Sequence, residues 1–178
     1  VLITCGSVLL HSFQYGLMIW LAEFFAVMLL LFFTRSTPVT LQLDSSREVC
    51  SLFENLKEAV VQAGISLYFI GAYLLLTLVL LNLLTMKLPA SWLLPIQCAT
   101  EFSLGTNNLA LLPLAPWIKA LLMTLVLGFA SFSVHLQVLS LTPHLKLAYP
   151  RYFSFRIMQM GLAGGVFLLL QLLQLWRS

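Results

Sequence analysis

Thr100-Glu101-Phe102-Ser103-Leu104-Gly105-Thr106-Asn107-Asn108 gathers a carboxylate, hydroxyls, amides and a glycine into one short run of a chain that is 61% hydrophobic. Inside hydrocarbon such groups are costly unless each finds a partner, and a membrane chain that concentrates them is usually building a site. The residues around this run give it its setting. Pro89, Pro95, Pro113 and Pro116 flank it between Leu88 and Trp117. A regular helix cannot carry these prolines without losing backbone hydrogen bonds. Broken backbone at membrane depth survives only where protein or a water-filled cavity satisfies it. The pattern therefore predicts a polar, interrupted segment enclosed by apolar helices.

Composition agrees with that setting. Only 9 basic and 6 acidic residues serve 178 positions, too few for the charged shell of a soluble domain of this size. The chain reads as a membrane protein whose main partner is the lipid bilayer, with no room for a separate catalytic or nucleotide-binding domain. A net charge of +3, scattered along the length, argues against a nucleic-acid partner. Val1 is not an initiator methionine, and the apolar stretch starts at once with no basic region before it. That leads us to expect a piece of a longer protein rather than a signal peptide. Cys5, Cys50 and Cys98 are isolated and read as small apolar fillers.

Outward from the polar run, the apolar stretches Gly16–Phe33, Ile65–Met86, Ile118–Leu141 and Phe155–Trp176 read as spans, since a helix needs about 20 residues to cross the hydrocarbon core. Val49 to Gln62 places apolar residues at helical spacing opposite Glu54, Lys57 and Glu58, the pattern of an interfacial amphipathic helix leading into the second span. Gly161 and Gly165 form a small-xxx-small step suited to close approach of a neighbouring helix. Trp176 and Arg177 read as an interfacial anchor.

Charge bias bears on how Leu88–Trp117 meets the membrane. Arg35, Arg47 and Lys57 lie in one long connection, and Lys146, Arg151 and Arg156 in the other. The positive-inside rule puts both in the cytoplasm. The two spans between them already return the chain to one side, so residues 88–117 are expected to enter and leave from a single face as a re-entrant hairpin. The fold class expected is all-α: a polytopic helical membrane protein with about four spans plus a re-entrant helical hairpin.

Within the hairpin, Glu101 is the only acidic residue after Glu58. Gly105 permits an open or left-handed backbone, and Thr106, Asn107 and Asn108 are turn and cap types. The expectation is a tip whose amides and side chains, Ser103 among them, grip a small polar ligand. The competing reading is an ordinary surface loop. Ser131, Ser133, His135 and Gln137 alternate with apolar residues in the middle of a span, with Gly128 just upstream. Either protein surrounds this helix or it is unwound here toward a cavity; simple interhelical hydrogen bonding is the plainer alternative. Glu23 is an intramembrane carboxylate and a functional candidate by default, with snorkelling to an interface as the alternative. No P-loop, HExxH or GxSxG motif and no recognisable nucleophile–base pair is present, so an enzyme is not expected.

Thr100-Glu101-Phe102-Ser103-Leu104-Gly105, Ser133-Val134-His135-Leu136-Gln137-Val138 and Phe153–Gln159, preceded by the long apolar segment Leu56–Leu84, resemble the sporulation integral membrane proteins of the YlbJ type. That family carries nucleoside-recognition (Gate) domains and is related to concentrative nucleoside transporters. The resemblance covers most of the chain and would make it the C-terminal half, with a missing N-terminal half of the same protein as partner. Two departures stand out: Ala130-Ser131-Phe132 occupies the place of a glycine pair, and Glu23 that of a histidine.

The resemblance implies that residues 1–36 end a preceding repeat with a first span and that 37–62 form a cytoplasmic linker and amphipathic helix. It makes 63–178 a Gate-like repeat containing the re-entrant hairpin at 88–117. It also implies an alternating-access transporter in a bacterial cytoplasmic membrane, at the mother-cell or forespore membrane in a spore former. The substrate would be a small polar or anionic metabolite, dipicolinate first and nucleosides next. Substrate-binding residues would be Glu101, Ser103, Gly105, Thr106, Asn107, Ser133, His135 and Gln137. No organic cofactor or resident metal is implied, and Glu101 would hold a coupling cation or proton. A non-transporting membrane assembly protein, whose polar segments glue helices together, is the alternative from another class.

Overall fold

The computed structural model describes residue 6 and residues 10–34, 52–141 and 149–176. The polar linker 38–48, with Arg47, and the basic turn around Lys146 lie outside the described residues. The rest is helical: α1 (Phe13–Thr34), α2 (Leu52–Thr85), α3 (Ala90–Thr100), α4 (Phe102–Ala110), α5 (Pro116–Phe129), α6 (Phe132–Leu141) and α7 (Tyr149–Leu175), with no strand among the described residues. Four stretches are long and apolar enough to cross a membrane: Phe13–Thr34, Phe53–Thr85, Pro116–Ser140 and Tyr149–Gln174. The chain is thus an all-helical protein with the makings of an integral membrane protein.

Proline does the punctuation in the middle of the chain. Pro89 is the N-cap of α3 and Pro116 the first residue of α5, where a missing N–H costs nothing. Pro113 falls in the short connection between α4 and α5, and only Pro95 sits inside a helix, on an exposed face of α3. The α4–α5 connection is fastened by Lys119, whose Nζ donates to the Ala110 carbonyl oxygen at 2.7 Å. A cation at the C-terminal end of α4 also complements that helix's dipole.

α1, α5 and α7 pack on one another, and Met18, Ile19, Ala22, Ala120, Met123 and Phe167 fill the space between them. Small residues set the spacing. A Cβ on Gly128 of α5 would stand 2.9 Å from the Met160 Cα of α7, and one on Gly164 of α7 would meet the Leu125 side chain at 2.7 Å. The expected step at Gly161 and Gly165 is used differently: both glycines are exposed, and nothing in the described chain lies within 4 Å of a Cβ added there. The close helix approach within this chain is made instead at Gly128 and Gly164, on the face of α7 that turns toward α5.

α3 and α4 form a tight antiparallel helical hairpin. Gly105 of α4 packs on α3 so closely that a Cβ there would stand 2.6 Å from the Cys98 Cα. The Asn108 amide Nδ2 donates across the pair to Gln97 Oε1 at 2.7 Å. α2 meets mainly α6 and α3, burying Thr77 and Leu81, and leaves most of its apolar surface exposed. Large exposed side chains such as Phe32, Phe33, Leu75, Leu172 and Leu173 cover the outside of the molecule. An apolar exterior on helices of this length is what a lipid environment accepts.

The glycine contacts predict unequal costs. Gly105→Ala and Gly128→Ala push a methyl into backbone and should each lower stability by about 1–3 kcal/mol. Gly164→Ala meets only a leucine that can rotate, and Gly161→Ala and Gly165→Ala meet nothing. Thermal unfolding of the five purified variants in detergent checks the ranking, and equal midpoints would contradict it.

Candidate functional site

Two interruptions in otherwise helical chain meet in this fold. The first is a single residue. Glu101 adopts an extended conformation (φ −142°, ψ 109°), ending α3 and starting α4. Its backbone N–H closes α3 on the Gln97 carbonyl oxygen at 2.9 Å, and its side-chain Oε1 accepts from the Ser103 N–H at 3.2 Å. One carboxylate therefore serves as N-cap of α4 in the manner typical of acidic caps. The second interruption separates α5 from α6. Ala130 (φ 68°) and Ser131 (φ 44°) both lie in the left-handed region without being glycine. Such a conformation costs roughly 1–2 kcal/mol per residue, so its surroundings must hold it in place.

Those surroundings include the first interruption. Ser133, in the first turn of α6, donates its hydroxyl to Glu101 Oε2 at 2.5 Å, and Ser131 Oγ lies 3.3 Å from Ser133 Oγ. Glu101, Ser131 and Ser133 are all buried, at 3%, 0% and 1% exposure. The carboxylate is thus held between the N-terminal ends of α4 and α6, where helix dipoles and free N–H groups favour negative charge. Both of its oxygens are occupied.

The other candidate residues divide around this centre. Gly105 is buried and helical; no glycine among the described residues has a positive φ, so it supplies close approach to Cys98 and not an open backbone. The turn lies at Glu101, one turn earlier than Gly105–Asn108. Thr106 is buried but returns its hydroxyl to the Phe102 and Ser103 carbonyl oxygens of its own helix. Ser103 is exposed and contributes its backbone N–H. Asn107 faces elsewhere, lining a separate cleft with His11, Ala110 and Lys119. Gln137 is half-buried, one helical turn beyond Ser133 on α6.

His135 is 1% exposed and packed edge-on against Phe129, Tyr152 and Phe153. Its Nδ1 lies 3.0 Å from the Tyr152 hydroxyl, while its buried Nε2 has no hydrogen-bond partner. A further polar series runs along α7 from Tyr152. The Arg156 guanidinium lies over the Tyr152 ring, 5.6 Å from its centroid, and donates to Gln159 Oε1 at 3.0 Å. Gln159 Nε2 in turn donates to Glu23 Oε2 of α1 at 3.3 Å. Tyr152, Gln159 and the hairpin residue Gln97 were not among the residues picked from sequence. The helical spacing of Tyr152, Arg156 and Gln159 in α7 is the signal that marks Tyr152 and Gln159.

No family model matches the chain, and neither a curated protein nor a solved structure matches it.

The geometry predicts which hydroxyl matters for stability. Ser133→Ala strips Glu101 Oε2 of its donor in a buried setting and should cost about 1–3 kcal/mol. Ser103→Ala keeps the N–H that caps α4 and should be nearly neutral. A lower unfolding temperature for the first variant alone is the expected result.

Proposed function

We propose that the chain carries part of an alternating-access secondary transporter for a small polar or anionic metabolite, with α3–α4 as a re-entrant hairpin. The observation that carries this reading is the meeting of two helix interruptions at one buried carboxylate, Glu101 bonded to Ser133. Transporters place discontinuous helices at the midplane because half-helix ends offer N–H groups and carbonyls to a solute. The arm lengths support a re-entrant hairpin. The 11 residues of α3 and the 9 of α4 rise roughly 16 and 14 Å, each about half of a ~30 Å hydrocarbon core. A hairpin of that size entering from one face carries its tip to about the membrane centre.

An anionic or strongly hydrogen-bonding substrate suits the site better than a cation does. The N-terminal ends of α4 and α6 and the hydroxyls of Ser131 and Ser133 are donors already arranged around a negative group. In the described state that group is the protein's own. A substrate carboxylate would exchange with Glu101 for the same donors, uncoupling the hairpin from α6 and permitting the two to move apart. The resemblance to the YlbJ type makes dipicolinate the first candidate and nucleosides the next. A non-transporting assembly role draws on a different observation, the open Gly161–Gly165 face of α7, which leaves room for another helix.

Uptake by membrane vesicles containing the protein separates the two readings. For a transporter, Glu101→Ala removes charge-assisted hydrogen bonds worth roughly 1.5–3 kcal/mol, so dipicolinate flux should fall at least about tenfold at unchanged membrane level. Cysteines placed at positions 103 and 107 should differ, the first protected from a water-borne thiol reagent by substrate and the second not. Unchanged flux in Glu101→Ala would overturn the transport reading, whereas loss of assembly in a protein that shows no substrate-dependent flux would favour the scaffold.

A further inference from the structure

Glu23 is an acidic side chain on α1, a helix long and apolar enough to cross a membrane, and its surroundings are the reverse of those of Glu101. It lies on α1 against α5 and α7. Oε2 accepts from Gln159 Nε2, but Oε1 is buried and has no hydrogen-bond partner. The space beside that oxygen exists because residue 128 is glycine: a Cβ there would stand 3.4 Å from Glu23 Oε1. Gly128 belongs to the last turn of α5, immediately before the Ala130–Ser131 interruption. That is a helix C-terminus, where the dipole is negative and the terminal carbonyls lack helical partners. A free carboxylate oxygen beside such an end repels anions and attracts cations.

We propose that Glu23 is the monovalent-cation site of this protein, binding a proton or an alkali cation at Oε1, and that Glu101 is not. The inference deepens the transport reading by assigning the coupling ion to α1 and α5, yet cation binding there is measurable without any flux. Glu101 has both oxygens engaged at two helix N-termini, where a bound cation would meet the positive ends of both dipoles. Glu23 has one oxygen open at a C-terminus.

The groups that face Glu23 are consistent with reversible occupancy. From α7, Arg156 reaches it only through Gln159, whose amide accepts from the guanidinium and donates to the carboxylate. Tyr152, also on α7, lies under the guanidinium, and behind it stands His135 of α6. α5 offers no titratable side chain near Gly128, since Lys119 is held at the other end of the helix by the Ala110 carbonyl. Arg156 is thus near enough to steady the ionised carboxylate but is not paired with it directly. Loading forms an O–H bond at Oε1 or coordinates a metal cation there, and in either case one positive charge neutralises one negative charge.

A hydrophobic carbodiimide tests this on the intact protein, because it couples to protonated carboxyl groups in apolar settings and spares ionised ones. The purified protein in detergent or liposomes is labelled over a pH series, with and without sodium, and the adducts are located by peptide mass spectrometry. Labelling is expected at Glu23, whose Oε1 has no hydrogen-bond partner, and not at Glu101, whose two oxygens are both engaged. If sodium suppresses labelling at fixed pH the site accepts an alkali cation; if sodium has no effect the ion is the proton. Glu23→Gln should abolish the adduct. Failure to label Glu23 at any pH, or labelling of Glu101 in its place, overturns the inference. Either outcome is independent of the Glu101→Ala flux experiment.

Discussion

A helix that stops inside an apolar environment exposes N–H and carbonyl groups that lipid cannot satisfy. The Glu101 carboxylate resolves this for two helices together. Its backbone closes α3, one oxygen caps α4, and the other accepts from the first turn of α6. Without it the Ser103 N–H and the Ser133 hydroxyl would lose their acceptor. The strained pair Ala130–Ser131 depends on the same contact, because Ser133 fixes where α6 starts relative to the hairpin tip. The bond that makes the site is also the bond that makes the broken architecture tolerable.

Close packing of small residues brings these groups into register. Gly105 sets the distance between the hairpin arms, and Gly128 sets the distance from α5 to α7 while leaving Glu23 its room. Within a membrane the helices gain little from excluding water from one another, so such contacts rest on van der Waals fit and on interhelical hydrogen bonds. The Gln97–Asn108 and Glu23–Gln159 bonds are of that kind. α2, which meets mainly α6 and α3 and buries only Thr77 and Leu81, lacks comparable fastening along most of its length.

Much of the helix layout was legible in the sequence because it follows from composition and proline. Apolar runs long enough to span, Pro89 and Pro116 at helix starts, and an isolated carboxylate among leucines are local signals. Polar residues alternating inside the span Ile118–Leu141 left a break near Gly128 as one alternative beside enclosure by protein and interhelical hydrogen bonding, and the break falls at Ala130–Ser131. Gly128 itself is committed to contact with Met160 and cannot be spared for the turn. Gly105 to Asn108 read as a turn because of their residue types, but they are helical. Thr106 bonds back to its own helix, and Asn108 finds Gln97 across the hairpin, so tertiary packing overrides local preference there. What no local pattern contained was the pairing itself. Ser133 and Glu101 are 32 positions apart and Gln159 and Glu23 are 136 apart, and nothing in either segment names its partner.

Glu23 and Glu101 end in opposite electrostatic settings, and the backbone breaks are what make them opposite. A continuous helix through residues 116–141 would have placed neither a C-terminus near Glu23 nor an N-terminus near Glu101. Breaking it at Ala130–Ser131 creates both ends within a few residues: the α5 terminus faces α1 and α7, and the α6 terminus faces the hairpin. One interruption therefore supplies a site suited to positive charge and a site suited to negative charge, joined by the same short piece of backbone. His135 packs against Phe129 on one side of the break and is hydrogen-bonded to Tyr152 of α7. In the proposed transporter, a displacement of α6 that released Glu101 would also move His135 and its contact with Tyr152 of α7. On the transport reading, ion and solute would be coupled without a long relay, because both proposed sites adjoin the strained link between α5 and α6.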